Sequence, residues 1–386
     1  LLGLAIVGEL FYYFSLKKKA ATPEMVEVTK DEGAPTISPA EKLSNLEITK
    51  RVLGCLEEQV NENGLYAVGS ECKQGEGCKK FLPGNYIGIY AMWARFNYLQ
   101  KVSDPGQMFL FDRDLGVYSD SQKVPIIMAA DGWTCRLLAV MAKSYLFSAS
   151  QKEKLASICQ RSFIGGESIR IGGIEEEIKK GNYREPSWED FLTQIRSESS
   201  TVAEVDSYEL SSLAYFVSDF AGRYSLNQNN QELQEAKLIY QDALSLYLQG
   251  GKKLPFYTKA LLGIAALDLL GVTGEDVFLD LASLIWEKLD LEKVCWLVDQ
   301  PDSSCRFGIQ DPVLVGIFAA DLYQKTGREE YRAFKDKIIT NLLPLCFDSP
   351  SFASAFNDNC FFSDVTTNFS REVTNNSLMV ELLTED

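Results

Sequence analysis

The sequence predicts an all-α fold, an (α/α)6 toroid of helical hairpins in which an outer ring of helices surrounds an inner ring. From Leu43 onward, apolar residues recur three and four positions apart, which is the spacing of helices. A short helix-ending pattern also recurs at intervals of roughly 50 residues, a period that suits a pair of helices. The helices before each pattern are apolar on most faces, whereas those after it are amphipathic, so they form a buried and an outer layer.

The recurring pattern marks the end of one helix and a tight turn into the next. Its clearest copies are Asp268–Gly274 and Asp321–Gly327; Asn97–Ser103 and Asp219–Ser225 are similar, and Ser144–Ser150 is weaker. A small residue ends each copy, and glycine in particular tolerates the left-handed conformation that caps a helix. One interval is longer than the others because it contains an insertion near residues 163–200.

Counting from these patterns gives six inner helices. They are predicted at residues 84–101, 125–147, 205–224, 255–271 and 310–326, with a sixth that begins at Asn376. Outer helices follow the turns, for example at 231–248 and 331–343. The toroid therefore occupies residues 43–386, and we expect it to be truncated at its end because Met379–Leu383 reads as helix without a cap.

The first 16 residues form a separate segment. Leu1–Leu16 is apolar apart from Glu9 and Ser15, and lysines follow it at 17–19. Sixteen helical residues span about 24 Å, whereas a bilayer core is about 30 Å thick, so a transmembrane anchor cut short at its start is predicted. The apolar region of a signal peptide and a buried core helix are the alternatives. Residues 17–42, rich in Pro, Thr and Glu, are predicted to be a flexible linker.

The cysteines bear on which side of the membrane the toroid lies. The lysines alone would keep it in the cytoplasm. Three cysteine pairs, however, lie close in sequence in loops between an outer and the next inner helix: Cys72 with Cys78, Cys295 with Cys305, and Cys346 with Cys360. Paired as disulfides they indicate an oxidising compartment, and hence a single-pass membrane protein with an extracytoplasmic main domain. Cys135 and Cys159 form a possible fourth bridge that leaves Cys55 over; the alternative is that all nine are reduced.

Composition excludes several classes of function. The chain has no histidine, which rules out Ser-His-Asp and Cys-His nucleophiles and histidine metal ligands. Its 54 acidic and 38 basic residues give a net charge of −16, which argues against nucleic acid as a partner. The sequence has no Cys-x-x-Cys pair, phosphate-binding loop or dinucleotide motif, so no metal and no cofactor is predicted.

The segment Ala319–Tyr331 and its counterparts in the other repeats resemble the six-hairpin glycosidase-like superfamily, across residues 43–386. The resemblance is architectural. It implies a protein that binds or hydrolyses a glycan through carboxylates. Related toroids instead cyclise terpenes or modify peptides, so the fold alone does not choose the reaction.

The candidate catalytic residues lie where the inner helices begin. Counting back equally from each helix-ending pattern gives Asp131 and Asp206 equivalent positions on neighbouring inner helices, and Asp311 lies at the start of another. Two carboxyl groups facing one cavity provide the acid and base of glycoside hydrolysis. The alternative is helix capping, since Asp206 has capping-box spacing and Asp311 precedes a proline.

Aromatic residues near these helices are the candidate sugar-binding groups, because amphipathic rings stack on sugars. They are Tyr86, Trp93, Trp133, Tyr208 and Tyr257. At helical spacing the alternative is that they belong to the core. Two hypotheses follow: a membrane-anchored protein that binds or cleaves a glycan, and a non-catalytic surface or protein-interaction module of the same fold.

Overall fold

The computed structural model describes residues 44–66, 86–120, 122, 127–128, 132–164, 187–197, 206–250, 254–291, 294, 297, 310–346 and 369–385. They belong to one compact unit, Leu43–Asp386. The predicted membrane helix at 1–16 and the linker at 17–42 lie outside the described residues.

The described elements are mostly helices. In chain order they are α1 (Asn45–Glu57), α2 (Ile87–Leu99), α3 (Pro105–Ser119), β1 (Ile127–Met128), α4 (Thr134–Lys143), α5 (Ala149–Arg161), β2 (Phe163–Ile164), α6 (Trp188–Ser197), α7 (Ser207–Asn227), α8 (Asn230–Gly250), α9 (Phe256–Thr273), α10 (Val277–Glu287), α11 (Gln310–Thr326), α12 (Glu329–Cys346) and α13 (Phe369–Thr384).

The inner helices form a closed ring. Each of α2, α4, α7, α9, α11 and α13 packs against the next, and α13 packs against α2. The outer helices α3, α5, α8, α10 and α12 each pack on the inner helix that precedes them in the chain, and α1 packs on both α13 and α2. The helix α1 therefore takes the outer position beside α13, and the predicted toroid is confirmed.

The inner helices are buried because they are apolar on most faces. Every residue of α2 is buried, and α9 is buried along most of its length. Of the residues that the structure describes, α9 is the helix long and apolar enough to cross a bilayer, and most of it lies inside the ring. Close contact between neighbours depends on small residues: a Cβ atom on Gly222 of α7 would lie 2.5 Å from the backbone of Cys135 in α4.

The predicted helix ends are correct at Gly274 and Gly327 and differ in two other repeats. Gly274 and Gly327 cap α9 and α11 with φ angles of 71° and 67°. The helix α7 runs two residues past Ser225, and Gln228 takes the left-handed position there, with a φ of 58°. In the weak copy the inner helix ends at Lys143, so that Ser144–Ser150 spans a turn and the start of α5.

Two predicted inner helices differ in extent. The helix predicted at 125–147 is observed only at 134–143, and the short strand β1 lies in the predicted range, paired in parallel with β2 of the insertion. Pro125 before β1 and Gly132 after it both disfavour helix there. The sixth inner helix begins at Phe369 rather than at Asn376. The helix at 310–326 is observed as predicted.

A buried polar network joins the first helices of the ring. Arg95 of α2, which is fully buried, pairs with Glu57 of α1 and with Asp114 of α3, and its Nε atom is 3.3 Å from Asp114 Oδ2. Arg113 also binds both carboxylates, at 2.7 Å and 2.6 Å, and the Tyr66 hydroxyl donates to Asp114 at 2.9 Å. We call these five residues the edge network. Two guanidinium groups face two carboxylates in it, so its charges balance.

Candidate functional site

The starts of three successive inner helices lie side by side. The Ser211 hydroxyl of α7 is 3.0 Å from the Thr258 hydroxyl of α9, and the backbone N–H of Tyr257 donates to Asp311 of α11 at 2.7 Å. We call this end of the ring the mouth, formed by residues 206–211, 255–259 and 310–311. Asp206, Tyr208, Tyr257 and Asp311 all lie at this end of the ring.

Asp206 is exposed and caps α7. Its Oδ1 atom accepts the backbone N–H of Tyr208 at 2.8 Å, so the capping role is real. Solvent still reaches the carboxylate, and half of the Tyr208 side chain is exposed beside it.

Asp311 also caps a helix, but not the one expected. It is the second residue of α11, and it accepts the backbone N–H groups of Phe256 and Tyr257 at the start of α9. The prediction that Asp311 caps its own helix before Pro312 is therefore wrong. The following proline is tolerated because N–H groups in the first turn have no partner within the helix. Burial raises the pKa of Asp311, and the two N–H donors lower it by less.

The five candidate aromatic residues divide between two places. Tyr86 and Tyr257 are half-buried at helix starts, and with Tyr208 they remain candidates for contacting a ligand. Trp93 and Trp133 are buried inside the ring, with 4% and 0% of their surface exposed. Trp133 packs edge-on against Tyr215 at 5.3 Å between ring centroids. The two tryptophans are thus core residues in this structure.

Asp131 lies outside the described residues, so its pairing with Asp206 stays a prediction, while the register of α4 follows from its own contacts. The backbone N–H of Cys135 donates to Asp219 of α7 at 2.6 Å. The repeat spacing would instead place Cys135 beside Leu210, which lies nine residues before Asp219, or roughly two and a half helical turns away from it. The described helix α4, Thr134–Lys143, therefore packs on α7 in a different register from the one that the repeat spacing predicts.

The cysteines are described only in part. Cys135 and Cys159 form a disulfide between the start of α4 and the end of α5, with Cα atoms 5.0 Å apart, which confirms the predicted fourth bridge. Cys55 carries a half-buried thiol, and burial raises its pKa to about 11. The side chains of the three loop pairs, Cys72 with Cys78, Cys295 with Cys305, and Cys346 with Cys360, lie outside the described residues.

A charged cluster that the sequence did not predict occupies the interior of the ring. Arg136 of α4 reaches across to α9 and α11, where its Nε atom is 2.9 Å from Asp268 and its Nη2 atom is 3.1 Å from Asp321. Its Nη1 atom is 3.9 Å from Glu381 of α13, which also accepts the indole N–H of Trp93 at 2.8 Å. We call Arg136, Asp268, Asp321 and Glu381 the axial cluster.

The axial cluster carries more negative than positive charge. Burial raises the pKa of Asp321 and that of Glu381, and the attraction of Arg136 opposes the rise. The guanidinium also lies 4.5 Å from the centre of the Trp133 ring. Asp268 and Asp321 are the first residues of two helix-ending patterns. The repeat therefore includes both positions, but it does not indicate that the two residues bind the same arginine.

No protein-family model and no curated protein sequence matches the chain. Solved structures match its architecture. A family 76 glycoside hydrolase (mannosidase) from Bacteroides thetaiotaomicron VPI-5482 is similar at a TM-score of 0.55 and 11% identity, covering 88% of this chain and 98% of that one. The fold is the six-hairpin glycosidase-like toroid.

Two further structures show the same likeness. A family 76 glycoside hydrolase from a bovine Bacteroides thetaiotaomicron strain has a TM-score of 0.51 and 12% identity, covering 89% of this chain and 78% of that one. An unsaturated glucuronyl hydrolase specific for heparin has a TM-score of 0.50 and 10% identity, covering 87% and 96%. At such identities the likeness concerns the fold, and the activity has to be argued from the mouth.

Proposed function

We propose that this chain is a glycan-binding toroid that hydrolyses a glycosidic bond at the mouth. The observation that carries the proposal is the pair of unlike carboxyl groups there. Asp311 is largely shielded and its pKa is raised by burial, whereas Asp206 is exposed. Two carboxyl groups in different environments are what acid–base hydrolysis of a glycoside needs. In this scheme Asp311 donates a proton to the glycosidic oxygen, and Asp206 assists the attacking water.

The charge of the protein favours a neutral glycan. A net charge of −16 repels uronic acid and sulfate groups, which lowers the rate at which an acidic glycan reaches the mouth. Of the similar structures, one is named as a mannosidase and another as specific for heparin. We therefore propose mannose-type oligosaccharides as the substrate class, with Tyr208 and Tyr257 stacking on the sugar rings.

The direct test incubates the protein with mannooligosaccharides and, separately, with heparin oligosaccharides, and measures released reducing ends. We expect release from the neutral glycan only. Asp311→Asn should lower the rate by about 100-fold or more, as loss of a general acid does. Asp104→Asn is a matched control, because Asp104 likewise accepts two backbone N–H groups at a helix start, but at the outer helix α3. Equal activity of the Asp311→Asn variant and the wild type would exclude this mechanism.

A second candidate function is a non-catalytic binding module. It is favoured by the fact that both mouth carboxylates accept backbone N–H groups, so that capping alone accounts for their presence. The same assay separates the two functions when it is paired with calorimetry. Binding of a glycan without release of reducing ends identifies the module.

We also propose that residues 1–16 tether the protein to the cell membrane with the toroid outside the cytoplasm. The Cys135–Cys159 disulfide supports this location, since disulfides persist in oxidising compartments. A membrane-impermeant maleimide and a protease applied to intact cells test it. Digestion of the toroid is expected, and a toroid that is protected until the cells are lysed contradicts the proposed orientation.

A further inference from the structure

The last inner helix closes the ring through a surface that contains a buried carboxyl group. The helix α13 packs against α2 and α11 on the inside and against α1 and α12 on the outside. Only 2% of Glu381 is exposed. Its two oxygen atoms face Trp93 of α2, at 2.8 Å, and Arg136 of α4, at 3.9 Å. Docking of α13 therefore carries this carboxyl group out of water.

The charges around Glu381 come from several helices and include both carboxyl and cationic groups. Those that act on Glu381, or on its neighbours Asp321 and Glu385, are Arg136 of α4, Asp268 of α9, Asp321 and Lys325 of α11, Lys335 of α12, and Glu385 just after α13. On the described helices α1 and α2, Glu57 pairs with Arg95, and both residues belong to the edge network.

The two lysines act on different carboxyl groups: Lys325 lowers the pKa of Asp321, and Lys335 lowers that of Glu385. Lys325 is exposed, and Lys335 donates to the backbone carbonyl of Glu385. One oxygen of Glu385, Oε2, is buried and accepts no hydrogen bond. Three carboxyl groups thus share the guanidinium of Arg136: Glu381 of α13, Asp268 of α9 and Asp321 of α11.

We propose that docking of α13 into the ring is proton-dependent, tight while the axial cluster holds a proton and looser once the proton is lost. Burial raises the pKa of Glu381 from 4.5 to about 7, and Asp321 adds to the rise while Arg136 opposes it. A raised pKa means that the docked helix favours the neutral acid. Docking is therefore strongest below pH 4.5 and weakens as the pH rises towards 7.

The test measures hydrogen exchange of the full chain between pH 5 and pH 8, with protection factors corrected for the intrinsic exchange rate. The amides of α13 are compared with those of α8, which lies away from the cluster. In the wild type, the ratio of α13 protection to α8 protection should fall by about tenfold or more from pH 5 to pH 8. A tenfold fall corresponds to a difference of about one unit between the pKa values of the docked and undocked states. Glu381→Gln, which mimics the neutral acid, should reduce that fall to less than about threefold.

Glu153→Gln is the matched control, because Glu153 is exposed on the outer helix α5, and it should behave as the wild type. A constant ratio of α13 to α8 protection in the wild type overturns the proposal, and so does an unchanged fall in Glu381→Gln. If Glu381→Gln does not fold, Asp321→Asn replaces it, and the ratio in the wild type decides by itself.

Discussion

The mouth and the axial cluster both contain acidic side chains, but these side chains have different surroundings and different partners. At the mouth, Asp206 and Asp311 accept backbone N–H groups from helix starts, and Asp206 remains exposed to water. In the axial cluster, Asp321 and Glu381 are removed from water and share Arg136 with Asp268. The difference teaches that carboxyl groups at the end of the ring bind the starts of helices, whereas those inside it join helices through one shared arginine.

Removing the guanidinium from the axial cluster should have the largest effect. Arg136→Met leaves buried carboxylates without their counter-charge, which costs about 3–5 kcal/mol in the free energy of unfolding at pH 8. The loss should be smaller at pH 5, because the carboxyl groups then take up protons. Denaturant titrations at both pH values measure it. Arg196→Met, at an exposed position on α6, should change stability by less than about 0.5 kcal/mol.

The disulfide fixes the helix that carries Arg136. Replacing Cys135 and Cys159 together by serine should cost about 2–4 kcal/mol, because the bridge closes a loop of 24 residues in the unfolded chain. The same titration under non-reducing conditions gives the value. A loss equal to that of the reduced wild type shows that the bridge, rather than the new hydroxyl groups, is responsible.

The axial cluster should also make the wild type less stable as the pH rises. Asp321 and Glu381 have raised pKa values, so the folded state holds protons that the unfolded state releases above pH 4 to 4.5. The free energy of unfolding should therefore fall by about 1–3 kcal/mol between pH 5 and pH 8. Stability that instead rises across this range contradicts the assignment of excess negative charge to the axis.

The mouth should tolerate substitution far better. Asp206→Asn keeps a side-chain oxygen to cap α7, so its effect on unfolding should be within about 0.5 kcal/mol, while Asp206→Ala should cost about 1 kcal/mol. Thermal unfolding of the two variants side by side measures the difference. Equal losses in both would show that the negative charge, and not the hydrogen bond, holds the helix start.

The sequence predicted what depends on local pattern. Glycines at 274 and 327 end helices because no other residue takes a left-handed cap as easily, and this is visible in the repeat. The short α4 was not predicted, because its strand β1 pairs with β2 far along the chain. Contacts between helices that are far apart in the sequence cannot be predicted from a local pattern. Asp311 caps its neighbour α9, and Arg136 crosses the ring to Asp268 and Asp321.

We propose that the mouth, and not the axial cluster, receives a neutral glycan. Hydrogen exchange of the full chain with and without a mannooligosaccharide tests it most directly. The account predicts added protection at the starts of α7, α9 and α11, at residues 207–211, 256–259 and 310–313, and none in the last turns of α13. Protection confined to α13 and the ends of α9 and α11, or none with any neutral glycan, would contradict it.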